Sequence, residues 1–102
     1  MAEQLQSINR AREHAQQQAQ RLARFDYRAP AELFPSRGKK GYGRITYKRF
    51  DTAAEAIRFS IEDVSPAALL GAYLELDEER FGFEEMRMLY RDAAFPLQRR
   101  GE

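Results

Sequence analysis

Residues 44–55 read Arg44-Ile45-Thr46-Tyr47-Lys48-Arg49-Phe50-Asp51-Thr52-Ala53-Ala54-Glu55, and the change of period inside this stretch decides the fold. The first seven residues are β-branched and aromatic with a repeat of two, the pattern of a strand. Thr52 with Glu55 three residues on has the spacing of a capping box, so a helix starts directly after the strand. Ala53, Ala54, Ile57, Ile61 and Val64 share one face of that helix, and Ser65-Pro66 ends it. Downstream, Leu70-Gly71-Ala72-Tyr73-Leu74-Glu75-Leu76 alternates again. It predicts a second strand, with Ala72, Leu74 and Leu76 on one side and Tyr73 and Glu75 on the other. Asp77 to Gly82 reads as a turn. A last helix follows from about Phe83 to Ala94, burying Phe83, Met86, Leu89, Tyr90 and Ala93 and stopped by Pro96.

Upstream the signals weaken. Leu5, Ile8, Ala11, Ala15, Ala19 and Leu22 recur at spacings of three or four, so residues 2–24 predict a helix whose mostly alanine seam buries little area. Phe25-Asp26-Tyr27-Arg28 alternates like a short edge strand. Pro30 and Pro35 bracket Ala31-Glu32-Leu33-Phe34, which reads as a single turn at most. Residues 36–43 hold three Gly and three cations and read as a loop.

The expected architecture is therefore α+β. A polar N-terminal helix (1–24) and a basic connection (25–43) lead into a two-layer strand-helix-strand-helix unit (44–97), and a charged, loose tail follows (98–102). That unit would have two or three strands, with both helices on one face. Such a unit is small, and a two-stranded sheet is marginal in water. Some further surface has to shelter its apolar residues: the 25–28 strand, the N-terminal helix, or a second copy of the chain.

Composition narrows the function classes. The chain has 102 residues, 43% hydrophobic and 32% charged, with no Cys and one His. One small domain fits; a disulfide framework, a thiolate metal site and a cysteine nucleophile do not. His14 lies on a polar helix with no orienting partner in its pattern, and no serine sits in a nucleophile elbow. Gly38, Gly41 and Gly43 precede a strand and lack phosphate-loop spacing. Asp77, Glu78 and Glu79 read as a solvated turn, without a calcium-loop pattern. No catalytic residue, cofactor or metal is therefore expected. The polar start Met1 to Ser7 is unlike a signal peptide and no apolar run reaches ~18 residues, so a cytoplasmic protein with no membrane partner is expected.

Charge is distributed unevenly. Residues 25–50 carry a net +5 and residues 51–97 a net −7, within a chain of net +1. Arg37, Lys39, Lys40, Arg44, Lys48 and Arg49 are interleaved with Tyr42, Tyr47 and Phe50. Cations there could neutralise phosphates while aromatics stack on bases, which makes nucleic acid one candidate partner. The competing pattern is apolar. Phe59 lies about 200° around its helix from Ile57, off the buried face, and Met88 stands similarly off the last helix. Phe59, Met88 and Tyr73 are the candidate contacts for a protein partner or for self-association.

The strings Ile45-Thr46-Tyr47-Lys48-Arg49-Phe50-Asp51, Ala54-Glu55-Ala56-Ile57-Arg58-Phe59, Leu89-Tyr90 and Phe95-Pro96-Leu97 give the chain, over about residues 25–97, a pattern that resembles short bacterial proteins of unknown function. The resemblance implies a cytoplasmic bacterial setting and transfers no catalytic residue. The expectation is a small non-enzymatic interaction module that binds a protein partner or itself, with nucleic-acid binding through 37–49 as the alternative.

Overall fold

Helix α1 spans Ala2–Ala23, and strand β1, Ala31–Phe34, follows it. Then come β2 (Lys48–Phe50), α2 (Ala53–Glu62), the one-turn α3 (Pro66–Leu69), β3 (Tyr73–Leu76), β4 (Glu79–Phe81) and α4 (Phe83–Arg91). The structure, a computed structural model, describes residues 2–35 and 47–100, with side chains from Arg10 onward. Arg37, Lys39, Lys40, Tyr42 and Arg44 lie outside the described residues, as does the start of the strand expected over 44–50.

The fold is α+β. All described strand pairs are antiparallel, in the order β2-β1-β3-β4. Ala31 pairs with Phe50, Leu33 with both Lys48 and Leu74, and Leu74 with Phe81. The sheet has four strands where two or three were expected, and both extra strands come from segments that read as turns.

Residues 31–34 are the first correction. They form a central strand, because Ala31 and Leu33 are buried while Glu32 and Phe34 are half-buried, a clean alternation across four residues. The flanking prolines sit just outside the strand, where no ladder hydrogen bond is lost. The second correction is the 77–82 turn. It shrinks to Asp77-Glu78, both at positive φ (49° and 66°), and Glu79–Phe81 returns as β4. Positive φ at both central residues is what a two-residue hairpin needs to match the twist of its strands. Phe25–Arg28, expected as an edge strand, is instead a turn tied to α2 by Ala54 N–H donating to the Tyr27 carbonyl at 2.9 Å.

Both main helices cover one face of the sheet. α2 starts where Thr52 Oγ1 accepts from Glu55 N–H at 3.2 Å, as the capping spacing predicts. Ile57, Leu69, Leu74, Leu33, Met86 and Leu89 are almost fully enclosed, each contributing ~1.5–3 kcal/mol of hydrophobic stabilisation. Small residues at Ala53, Ala54 and Ala56 bring α2 close to the sheet. Ser60 is buried among them and donates to the Ala56 carbonyl at 2.7 Å. Phe25 closes the end of the core edge-on against Phe81 and Tyr27, both at 5.0 Å between ring centroids. Ala93, expected on the buried face, is exposed because α4 ends at Arg91.

The expected loose tail is fastened as far as Arg100. The Arg100 backbone N–H donates to Glu62 at 2.8 Å, and its guanidinium reaches the Glu62 carbonyl at 3.1 Å and Asp63 at 2.7 Å. Tyr90 donates its hydroxyl to the same Glu62 carboxylate. That hydrogen bond, then the Arg100 N–H, lowers the Glu62 pKa from its ordinary 4.5.

Candidate interaction surface

Strand alternation gives the sheet a second face. β1 turns Glu32 and Phe34 to it, β3 turns Tyr73 and Glu75, β4 turns Arg80 and β2 turns Arg49. Among the described residues no helix packs on this face. α2 and α3 bury their apolar side chains in the core on the opposite face, α4 packs on α2, and the last turn of α1 meets the rim of β4.

The face carries two rows. In the charged row, Arg49 pairs with Glu32, Glu32 with Glu75, and Glu75 with Arg80. The two like charges at its centre are offset by Arg80, whose Nε lies 3.8 Å from the Glu75 carboxylate. The second row is aromatic. Phe34 and Tyr73 stack at 4.9 Å with only 14° between their planes, and Tyr47 meets Phe34 at 5.2 Å and 60°. The Arg80 guanidinium lies 4.7 Å from the Tyr73 centroid. Since β3 stands between β1 and β4, Arg80 and Phe34 occupy opposite faces of the Tyr73 ring. Phe34 and Tyr73 therefore each give one face to the other, and Tyr47 meets Phe34 in an edge-type contact. Tyr47 remains 48% exposed. Its hydroxyl donates to Glu32 at 2.9 Å, a bond to an ionised carboxylate that raises the phenol pKa.

The sequence-derived candidates separate on this geometry. Tyr73 belongs to the aromatic row. Phe59 does not reach it: it lies on the helix-covered side, 5.5 Å from the Phe50 ring, with Lys48 Nζ 4.5 Å from its centroid. Its cover comes from β2. Met88 is 49% exposed on the outer side of α4. Lys48 and Arg49 project from opposite faces of the sheet, so these two cations do not form one patch. Phe34, absent from the sequence-derived candidates, is the centre of the row. The alternation of Ala31, Glu32, Leu33 and Phe34 was the signal that could have found it.

An open groove of about 620 Å³ runs between α1 and the start of α4 past Leu70 and Phe83. Arg21 at its wall is already committed. It bonds Glu79 at 3.2 Å, Glu85 and the Arg80 carbonyl, and its guanidinium sits 4.1 Å over the Phe81 ring. His14 is exposed at the same wall. Among the described residues no group of His, Asp and Glu is placed to hold a metal ion, and no helix is long and apolar enough to cross a membrane.

Comparison with known proteins gives no match: no family model, no curated protein and no solved structure is similar to this chain.

Proposed function

We propose that this chain is a small non-enzymatic interaction module that docks a protein partner on the helix-free face of its sheet. The observation that carries the reading is the half-exposed Tyr47–Phe34–Tyr73 row on that face. Aromatic residues of this kind supply large contact area with few rotatable bonds, and they are enriched where proteins meet. The flanking charges are of both signs, so the partner segment needs no strong net charge. A nucleobase would need an open ring face to stack on, whereas Tyr73 lies between Phe34 and Arg80 and Phe34 gives one of its faces to Tyr73. This favours a protein over a nucleic acid.

The test is site-specific photocrosslinking in a bacterial extract, with the photoreactive residue at Tyr73 and, as control, at Arg87 on α4. A protein adduct at position 73 that is absent at 87, and lost on Phe34→Ser, supports the reading. Equal adducts at both positions overturn it. Salt-sensitive binding of single-stranded oligonucleotide, abolished by Lys39→Glu with Lys40→Glu, would transfer the function to nucleic acid.

A further inference from the structure

α2 closes on Glu62 and Asp63, with no basic residue in its last turn. Carboxylates at the negative end of a helix oppose its dipole, and the last carbonyls need donors from elsewhere. Residues 97–100 supply both. The Arg100 guanidinium reaches the Glu62 carbonyl and the Asp63 carboxylate, and the Arg100 N–H donates to the Glu62 carboxylate. Arg99 treats α4 in the same way. Its Nε donates to the Tyr90 carbonyl at 2.7 Å and its Nη2 to the Asp92 carbonyl at 2.6 Å. Two neighbouring arginines thus close the C-termini of two different helices.

The segment also covers rings. The Arg99 guanidinium lies 5.6 Å from the Tyr90 centroid and 5.2 Å from that of Phe95. These two rings meet at 5.2 Å, and Phe95 reaches Tyr27 at 5.9 Å. The segment's own apolar anchor is small: Leu97 is half-buried against the core, whereas Gln98 and Arg100 are exposed. Polar contacts therefore hold it in place, and an element held that way opens ahead of the core.

The contacts converge on one carboxylate. The Glu62 side chain is only 10% exposed, with Arg100 Nε 3.9 Å away. It accepts from the Tyr90 hydroxyl on α4 and from the Arg100 N–H. Arg58 on its own helix also favours its charge, Asp63 follows it in sequence, and Arg99 lies over Tyr90. Protonating Glu62 removes the negative charge that Arg58 and Arg100 share. Arg100 then keeps the Glu62 carbonyl and the exposed Asp63 carboxylate, and an ordinary Asp titrates at ~3.9, in the same acid range. The stabilisation is present above the ordinary carboxylate range and is lost as pH falls through the folded value, so the sign favours docking at neutral pH and release in acid. None of this involves the open sheet face, so it stands or falls separately from the docking reading above.

We propose that residues 97–100 are an acid-released strap: docked, they close the ends of α2 and α4 over the Tyr90 and Phe95 rings, and protonation of the carboxylates at the end of α2 detaches them while the sheet and helices stay folded. Backbone relaxation of the full chain by nuclear magnetic resonance tests this. At pH 7 the Arg99 and Arg100 amides should be as rigid as those of Ile57 and Leu89, with order parameters of ~0.85. At about pH 3.5, below the ordinary carboxylate values, the two arginine amides should fall below ~0.6 while Ile57 and Leu89 keep theirs. Binding of an apolar dye should rise over the same pH interval as the rings are uncovered. Glu62→Gln with Asp63→Asn reproduces the protonated acids without acid and should free the strap at pH 7. A strap already mobile in the native chain at pH 7, or still rigid in the double variant, overturns the proposal. So does loosening of Ile57 and Leu89 together with the strap, in acid or in the variant, because the segment would then be part of the core and not a separate switch.

Discussion

The two faces of the sheet are built from the same short strands yet serve opposite ends. On the covered face Leu33, Leu74 and Phe81 are buried under two helices, with α2 packed directly on the strands. On the open face the neighbours one residue along are Phe34, Tyr73 and Arg80, half-buried or exposed. The covered side chains find their complement within the chain. Those on the open side satisfy one another laterally, ring to ring and carboxylate to guanidinium, and stay half-buried or exposed. Stability belongs to one face and available contact area to the other.

Truncating one large side chain on each face tests that division most severely. Leu74→Ala removes an enclosed side chain and should cost ~2–5 kcal/mol. On the open face Phe34→Ala should cost less than ~1.5 kcal/mol, since part of its ring is already in water. Urea unfolding of the two variants checks the difference. Equal losses would mean that the open face is a second core.

Acid probes the rim of the helical layer. The Glu62 pKa is lowered in the folded chain by the Tyr90 hydrogen bond and then by the Arg100 N–H. A carboxylate with a depressed folded pKa adds stability above its ordinary value of 4.5 and loses it as pH falls through the folded value. Melting temperature should therefore drop below pH 4.5 in the native chain, and Glu62→Gln should be less stable at neutral pH with a flatter acid limb. At the other end of the range, burial pushes the Tyr27 phenol up to about 12, and its hydroxyl donates to the Leu89 carbonyl at 2.9 Å. That bond should survive to strongly alkaline pH, which ultraviolet titration of the phenols reads directly.

The smallest expected effect concerns the hairpin that carries Arg80 onto the open face. Asp77 and Glu78 both hold positive φ, which is unfavourable for a side chain like that of Glu. Replacing the pair with Asn-Gly should stabilise the chain by ~0.5–1 kcal/mol and leave the aromatic row unchanged. Thermal melts with near-ultraviolet dichroism check both halves of that statement.

Much of the covered layer was legible residue by residue. Thr52 and Glu55 marked the start of α2, and the spacing of Met86 and Leu89 marked the inner side of α4. The alternation through Leu74 and Leu76 marked β3. The open face was half legible: Tyr73 could be placed on it from strand period alone, but Phe34 was hidden by the prolines on either side of its strand. Phe59 reads from its helix as lying off the buried face, yet it packs against the chain's own core. Its cover, the Phe50 ring and the Lys48 ammonium, arrives from a strand that no helical wheel includes.

Local rules in the chain determined α1, α2 and α4, the Thr52 cap and which side of β3 is apolar, because those depend on neighbours three or four residues away at most. The tertiary structure alone decided that 31–34 lies at the centre of the sheet, that Arg100 reaches back to Glu62, and that Phe34, Tyr47 and Tyr73, from three separate segments, form one row. Those outcomes rest on pairings between distant segments, whose free energy comes from burial that exists only once the sheet and helices have closed on each other.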